Sequence, residues 1–121
     1  MLFLIAAPIL LMRKCEISVY SDYFHGRRTA SGTRFSQMDY TCAVNRGNLK
    51  RFPFGSRVTL HYKGKQVTVT VTDTGSYKPK KSDQWFDLSK AAMKKLLGEN
   101  YYTRVVGTWK LQKNNSNNLK N

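Results

Sequence analysis

Two aspartates stand where the chain could supply a carboxylic acid for proton transfer. Asp73 follows the alternating stretch VTVTVT just before a glycine turn, and Asp87 lies in FDLS at the start of an apolar segment. A carboxyl group held at a strand end can give a proton to a departing oxygen and later take one back. The chain has only seven acidic residues, so a carboxyl group in such a position merits attention as a candidate for proton transfer.

Each of these aspartates also has a structural interpretation. Asp73 can cap the turn that precedes Gly75, and Asp87 can cap the following helix, which is worth about 1 kcal/mol. Asp39 is a weaker third candidate and reads more simply as a turn residue. The remaining acidic residues are predicted to be surface charges: Glu16, Asp22, Asp83 and Glu99.

Aromatic and basic side chains near the two aspartates could hold a sugar chain. Tyr77 and Trp85 lie in the loop between them and are candidate stacking platforms, whereas Trp109 alternates with apolar residues and is predicted to belong to the core. His25 could line a groove or be an ordinary surface histidine. Six basic side chains either form a solvated face or bind carboxylate groups of a ligand. They are Arg27, Arg28, Arg34, Lys78, Lys80 and Lys81.

The residues that could hold a metal or close a disulfide are few. The two histidines and two cysteines lack paired metal-ligand spacing, and no phosphate-cradling glycine loop is present. We therefore expect neither a metal nor a cofactor. In an exported chain Cys15 and Cys42 could pair, which would close a loop of about 27 residues and contribute about 3 kcal/mol. Two unpaired thiols are the alternative.

The charge balance points to a polyanionic partner. The chain has 21 Lys and Arg against 7 Asp and Glu, a formal net charge of +14, and its pI is about 10.1. Such a field attracts nucleic acid, anionic lipid or an acidic cell wall. Charge alone does not choose among these three partners.

Composition along the chain predicts one small domain between two terminal segments. Residues 1–14 begin with MLFLIAAPILLM, which is too short to span a bilayer as a helix and is typical of a signal peptide or membrane anchor. Residues 15–112 form the domain, and the polar tail 113–121 is predicted to be disordered. We therefore expect an exported protein that touches a membrane only through its leader.

Hydrophobic alternation predicts a mainly β domain. CEISVYSDYF and YTCAVN indicate the first strands, and residues 58–62 and 67–71 alternate on either side of a Lys-Gly-Lys turn, which predicts a hairpin. FDLSKAAMKKLLGEN is the one predicted helix, and TRVVGTWKL is the last strand. About six short strands with one helix before the last strand indicate a small β-barrel.

Four of these stretches, taken in order, resemble a known family. DYFHGRRTASGTRF, LKRFPFGSRVTL, VTVTVTDTG and FDLSKAAMKKLL are similar to segments of RlpA-like (rare lipoprotein A) double-psi β-barrel domains. The same barrel occurs in expansins, barwin-like proteins and certain lytic transglycosylases and endoglucanases. The resemblance covers roughly Ser18 to Leu111, so it implies a six-stranded double-psi β-barrel for nearly the whole domain.

The resemblance also implies a reaction and a set of site residues. RlpA-like enzymes cleave peptidoglycan between N-acetylmuramic acid and N-acetylglucosamine and leave a 1,6-anhydro end. Asp73 matches the family's candidate acid/base, and Asp87 matches an aspartate essential in expansins and related endoglucanases. The candidate substrate contacts are His25, Arg27, Thr33, Asn45, Tyr77 and Trp85.

The chain departs from the family at two polar positions. Thr33 stands where a glutamate is frequent, and Val44 or Asn45 stands where a histidine or aspartate is frequent. Two hypotheses follow: a lytic transglycosylase with one aspartate as general acid/base, or a non-catalytic, expansin-like module that binds wall glycan. A nucleic-acid binder is a third hypothesis, which the leader and the family pattern disfavour. We expect a monomer whose partner is peptidoglycan or another acidic cell-wall glycan.

Overall fold

The structure, a computed structural model, describes residues 12–112 and confirms the predicted β-barrel. The structure has six strands and one α-helix, and the helix comes before the last strand as predicted. Their bounds are β1 Arg13–Val19, β2 Thr41–Asn45, β3 Arg57–Tyr62, β4 Lys65–Gly75, β5 Trp85–Leu88, α1 Lys90–Leu97 and β6 Val105–Leu111. No helix in this part of the chain is long and apolar enough to cross a membrane.

The six strands close on themselves in the order β1-β5-β2-β4-β3-β6. Strand β1 runs parallel to β5 and β2 runs parallel to β4, while the other neighbouring pairs are antiparallel. Sequence neighbours are therefore often not sheet neighbours, and the connections cross over the barrel. This topology places β2 between β4 and β5, the two strands that carry the candidate aspartates.

Alternation along the strands fills the barrel interior. Val67, Val69 and Val71 of β4 are buried, as the period of two predicts. Phe52 and Phe86 meet Trp109 edge to face with ring centroids 5.0 and 6.1 Å away. Trp109 is 5% exposed, so the prediction that it belongs to the core is confirmed.

The sequence predicted that the helix begins at Phe86, but in the structure it begins at Lys90. Residues 85–88 form strand β5, whose Phe86 and Leu88 point into the barrel while Asp87 faces the other side. Parallel pairing with β1 outweighs the helix propensity of this short segment. Asp87 is therefore a strand residue, and its interpretation as a helix cap is wrong.

Gln37 supplies the hydrogen-bond acceptors for the free backbone amides at the start of helix α1. Its side-chain oxygen accepts a hydrogen bond from the Lys90 amide at 2.7 Å, and its carbonyl accepts one from the Ala91 amide at 2.9 Å. Ser89 occupies the N-cap position, but its hydroxyl donates to the Asp39 carbonyl. The helix start is thus tied to the loop before β2.

Both cysteines are buried, unpaired thiols, so the predicted disulfide is not formed. Cys42 pairs with Leu88, whereas Cys15 lies four residues before Val19, the β1 partner of Leu88. At 3.3 Å per residue this offset is about 13 Å along the strands, well beyond the reach of a disulfide. Burial raises the pKa of the Cys15 thiol to about 12, and the neighbouring carboxylate of Glu16 adds to the shift.

The terminal predictions lie largely outside the described residues. Strand β1 begins at Arg13, so the barrel takes in two residues that the sequence assigned to the leader. Residues 1–11 of the predicted leader and the predicted disordered tail, 113–121, are not described by the structure. Their roles stay predictions.

Candidate active site

Asp73 and Asp87 lie in one row across three neighbouring strands. Ala43 of β2 pairs with Asp73 of β4 on one side and with Asp87 of β5 on the other. Residues in one row point to the same face of a sheet, and two strand spacings separate the aspartate Cα atoms by roughly 10 Å. Both side chains are partly exposed, so two carboxyl groups flank one methyl group on the outer face of the barrel.

Ala43 belongs to a small apolar cluster outside the barrel core. It packs with Tyr20 and Phe35, whose rings stack at 4.1 Å, and Tyr77 packs against the same cluster. The methyl group is fully buried under these rings. The cluster thus lies between the two aspartates, with Tyr20 next to Asp73 and Tyr77 next to Asp87.

Asp73 accepts three hydrogen bonds. The Tyr20 hydroxyl donates to Oδ2 at 2.7 Å, and the amides of Ala30 and Thr74 donate to Oδ1 at 2.8 and 2.9 Å. The bond from Thr74 is the local turn contact expected of an aspartate, but the bonds from Tyr20 and Ala30 come from distant parts of the chain. They fix the carboxyl group and tie the loop after β1 to strand β4.

Asp87 accepts two side-chain hydrogen bonds and no backbone amide is among its donors in residues 12–112. Ser18 donates to Oδ1 at 2.7 Å and the Tyr77 hydroxyl donates to Oδ2 at 3.2 Å. Burial raises the pKa of Asp87; the bonds from Ser18 and Tyr77 oppose the shift, and the charge of Asp73 adds to it. The environment therefore favours the protonated form of Asp87.

The two tyrosines remain donors over the whole physiological range. Burial and the neighbouring carboxylates raise the pKa of both Tyr20 and Tyr77. Tyr20 serves Asp73 and Tyr77 serves Asp87. Each carboxyl group is therefore oriented by a phenol that keeps its proton.

Tyr77 reaches Asp87 because its ring lies on the backbone of Gly75. A Cβ at that position would stand 2.6 Å from the ring, so any other residue would push the Tyr77 ring away from this place. The Tyr77 amide donates to the Asn45 side chain at 2.7 Å, and its ring stacks on Trp85 at 5.4 Å. Asn45, predicted as a substrate contact, thus braces the loop that carries Tyr77.

Trp85 connects to Asp87 through a serine. Its indole N–H donates to Ser18 Oγ at 2.7 Å, and Ser18 donates onward to Asp87. The guanidinium of Arg104 lies 4.6 Å from the indole ring centroid. With Tyr77 and Arg104 both on its ring, Trp85 positions Asp87 as well as bordering the site.

Glu16 anchors the loop between Tyr77 and Trp85, and its prediction as a surface charge is wrong. It is 1% exposed and accepts hydrogen bonds from the amides of Lys80 and Lys81 and from the Ser82 hydroxyl. Burial opposes its ionisation, but these donors hold the pKa of Glu16 below its ordinary value. A buried carboxylate thus fixes a loop of basic residues.

The remaining predicted contacts lie on the loop after β1. Thr33 shares a triangle of hydroxyl groups with Thr29 and Ser31, with oxygen distances of 3.0 to 3.1 Å. His25 accepts a hydrogen bond from a backbone amide at Nδ1. Arg27 stacks on the exposed Tyr23 at 3.9 Å. Of these, the loop holding Thr33 is tied to Asp73; His25 and Arg27 are exposed farther out.

Sequence reasoning missed the residues that support the aspartates: Ser18, Tyr20, Ala43 and Glu16. Each is an ordinary strand residue in the sequence, and only the pairing register brings it to the site. No group of three or more His, Cys, Asp or Glu side chains within residues 12–112 could hold a metal ion.

The barrel is that of a recognised class. The family described as lytic transglycolase matches residues 16–102, so the chain belongs to that family. Within it, the chain is an RlpA-like double-psi β-barrel, as its relatives indicate.

Curated relatives share the domain but are longer. A probable endolytic peptidoglycan transglycosylase RlpA of Aquifex aeolicus is 41% identical over 65% of this chain and 32% of the relative. An endolytic peptidoglycan transglycosylase RlpA of Neisseria meningitidis is 40% identical over 65% of this chain and 30% of the relative. The chain thus spans about a third of the length of these relatives.

Solved structures with the same barrel include an inhibitor and an expansin. The Streptomyces papain inhibitor is 26% identical, with a TM-score of 0.63, over 84% of this chain and 94% of that one. A Clavibacter michiganensis expansin variant in complex with cellohexaose is 13% identical, with a TM-score of 0.63, over 84% and 50%. The expansin likeness concerns the fold alone.

Proposed function

We propose that this chain cleaves the glycan strand of peptidoglycan between N-acetylmuramic acid and N-acetylglucosamine, leaving a 1,6-anhydro end. The observation that carries the proposal is the row of Asp73, Ala43 and Asp87, in which two partly exposed carboxyl groups have different hydrogen-bond donors. Family membership and the names of the relatives support this substrate. The proposal includes export of the barrel to the cell envelope, where the substrate lies.

We assign the acid to Asp87, because its raised pKa favours the protonated carboxyl group. Protonated Asp87 gives its proton to O4 of the leaving N-acetylglucosamine as the C1–O4 bond breaks. Its carboxylate then takes the proton of the muramic 6-hydroxyl, whose oxygen bonds to C1 and closes the anhydro ring. Asp87 ends protonated again, and no water is consumed.

We assign electrostatic stabilisation to Asp73. From the sequence we expected Asp73 to be the acid, but two backbone amides that donate to Oδ1 suit a carboxylate acceptor better than a proton donor. A fixed carboxylate about two strands away from the acid can oppose the positive charge that develops on the sugar. In this proposal Asp87 performs both proton transfers, and Asp73 stabilises the positive charge of the transition state.

A second function, non-catalytic binding of wall glycan, is favoured by one observation. Val44 lies fully buried in the barrel core, and the recorded partners of the Thr33 hydroxyl are the hydroxyl groups of Thr29 and Ser31. Neither position brings an ionisable side chain to Asp73. If the aspartate pair alone is insufficient, the aromatic border of the site would still dock a glycan.

Digestion of purified sacculi by the purified protein, with mass spectrometry of the released material, tests the choice between these functions. Wild-type protein is expected to release anhydro-muropeptides, and Asp87→Asn and Asp73→Asn to lower the yield by about a hundredfold or more. Asp83→Asn, which changes an exposed aspartate outside the row, is the matched control and keeps full activity.

Two results would count against cleavage. Sacculus binding by the wild type without any soluble product supports the docking function instead. Equal product release by wild type and Asp87→Asn would remove Asp87 from the reaction.

A further inference from the structure

A cavity lies far from the aspartate row. It has a volume of about 360 Å³ and is formed by the β3–β4 turn, the end of helix α1 and the entry to β6. Lys65, which lines it, precedes Asp73 by eight residues on β4, a separation of about 26 Å along the strand. The cavity is therefore separate from the candidate active site, and its volume is typical of small-ligand sites.

The cavity combines an aliphatic floor with polar groups at its border. Leu96, Leu97 and Val105 supply the apolar part, and Leu96 is also part of the barrel core. Asn100 and Thr103 supply an amide and a hydroxyl group. A ligand that fills this space must carry an apolar group close to groups that form hydrogen bonds.

The charged side chains that line the cavity are both lysines, and the Lys63 ammonium lies 5.4 Å from the ring centroid of Tyr62, which lines it too. Lys63 and Lys65 flank the turn and line the cavity, and neither forms an ion pair within residues 12–112, where the recorded pair is Lys90 with Asp22. Glu99, the nearest acidic residue in the sequence, is exposed and does not line the cavity. The two ammonium groups therefore call for an anion in the ligand.

We propose that this cavity binds the C-terminal carboxylate of a short peptide that ends in small apolar residues. The carboxylate lies between the two lysines, the apolar side chains lie on the leucines and Val105, and the peptide groups bond to Asn100 and Thr103. A bare phosphate would leave the aliphatic floor uncovered. Binding here does not depend on glycan cleavage.

Titration of N-acetyl-Ala-Ala into ¹⁵N-labelled protein, followed by amide chemical shifts, tests the proposal. Shifts are expected at Leu97, Asn100 and Thr103 and not at Asp73 or Tyr77. The same peptide with an amidated C-terminus is expected to bind at least fivefold more weakly, since it lacks the charge.

Variants of the two lysines provide a second test of the proposed peptide binding. Lys63→Gln with Lys65→Gln is expected to weaken binding by about fivefold to tenfold; glutamine is no more strained than lysine at the positive φ of residue 63. The control is Lys50→Gln with Lys110→Gln, two exposed lysines away from the cavity, which keeps wild-type affinity. Equal binding of the amidated peptide, equal losses in both double variants, or the same shifts with inorganic phosphate alone would overturn the proposal.

Discussion

Asp73 and Asp87 have the same side chain, and their surroundings give them different properties. Two main-chain amides and the Tyr20 phenol donate to Asp73, whereas the Ser18 hydroxyl and the Tyr77 phenol donate to Asp87. Pairs of ionisable groups with diverging environments are how one fold supplies both an acid and a fixed charge. The proposed reaction depends on this difference between the two residues.

Replacement of Asp87 by asparagine should stabilise the protein near neutral pH. The folded-state pKa of Asp87 is raised, so its contribution to stability is present at low pH and is lost as the pH rises through that value. Asparagine removes the buried charge and can still bond to Ser18 and Tyr77. Thermal melts at about pH 7 should give a higher Tm for Asp87→Asn than for wild type, with a smaller difference near the ordinary aspartate pKa of about 3.9.

Asp83→Asn serves as the control, because Asp83 is exposed and its replacement should leave Tm unchanged at both pH values. A lower Tm for Asp87→Asn than for wild type at neutral pH would contradict this prediction, because it would show that the Asp87 carboxylate stabilises the folded protein.

The sequence indicated which residues could be acids but not what holds them. Asp73 and Asp87 were selected by the resemblance of TDTG and FDLS to family segments, and for Asp73 also by its position at a strand end. Ser18 of β1 reaches Asp87 across 69 positions of sequence, and Tyr20, the residue after β1, reaches Asp73 across 53. Such contacts depend on a parallel register that no local pattern encodes.

At the scale of elements, the loop from Ser76 to Gln84 decides the shape of the site. Its start carries Tyr77, which rests on Gly75 and Trp85, and its end is fastened to Glu16. A loop with three basic residues would otherwise gain little from burial. The position of Tyr77 over Asp87 therefore depends on a carboxylate in β1.

Glu16→Gln should loosen this loop. Hydrogen bonds to a charged acceptor are worth about 2 kcal/mol, and glutamine offers only a neutral oxygen to the Lys80 and Lys81 amides. Faster hydrogen exchange at these two amides and a lower Tm are expected at neutral pH. The folded-state pKa of Glu16 is lowered, so the stabilisation is present above the unfolded value of about 4.3 and is lost as the pH falls further.

The Tm difference between wild type and Glu16→Gln should therefore shrink in acid. Glu99→Gln, at an exposed glutamate, should change neither exchange nor Tm. Unchanged exchange in Glu16→Gln would mean that the loop is held by other contacts.

Strand β6 passes too close to β3 for any side chain at Gly107. A Cβ there would overlap the His61 carbonyl oxygen and lie 3.0 Å from Ile17 Cδ1. Gly107→Ala should therefore cost about 2 kcal/mol, measured by urea unfolding. Gly47→Ala is the matched control: a Cβ there meets nothing within 4 Å, and the change should be neutral or stabilise by about 0.5 kcal/mol. Equal stabilities for the two variants would contradict the close approach.

The strands with strong alternation were predictable, and the shortest strand was not. The β3–β4 hairpin has a regular period and a glycine turn, and both features specify it locally. Strand β5 has only four residues before a helix, and its pairing with β1 and β2 supplies the stabilisation that its sequence lacks. Periodicity over so short a segment cannot separate a strand from a helix start.

At the scale of the whole molecule, the barrel is held by packing and not by a covalent link. Cys15 and Cys42 are separate buried thiols. A reducing agent should therefore leave the Tm unchanged, and both thiols should react with a thiol reagent only after unfolding in urea. A fall in Tm under reducing conditions would show that a disulfide forms in solution.

The pairing of β1 with β6 has a consequence for how such a barrel can be combined with other domains. Arg13 lies opposite Trp109, so the polypeptide enters and leaves the closed wall at neighbouring points on one lip. A unit with adjacent entry and exit can be spliced into a surface loop of a host protein, or joined head to tail, without opening the wall. The barrel can therefore be inserted into another protein as one intact unit.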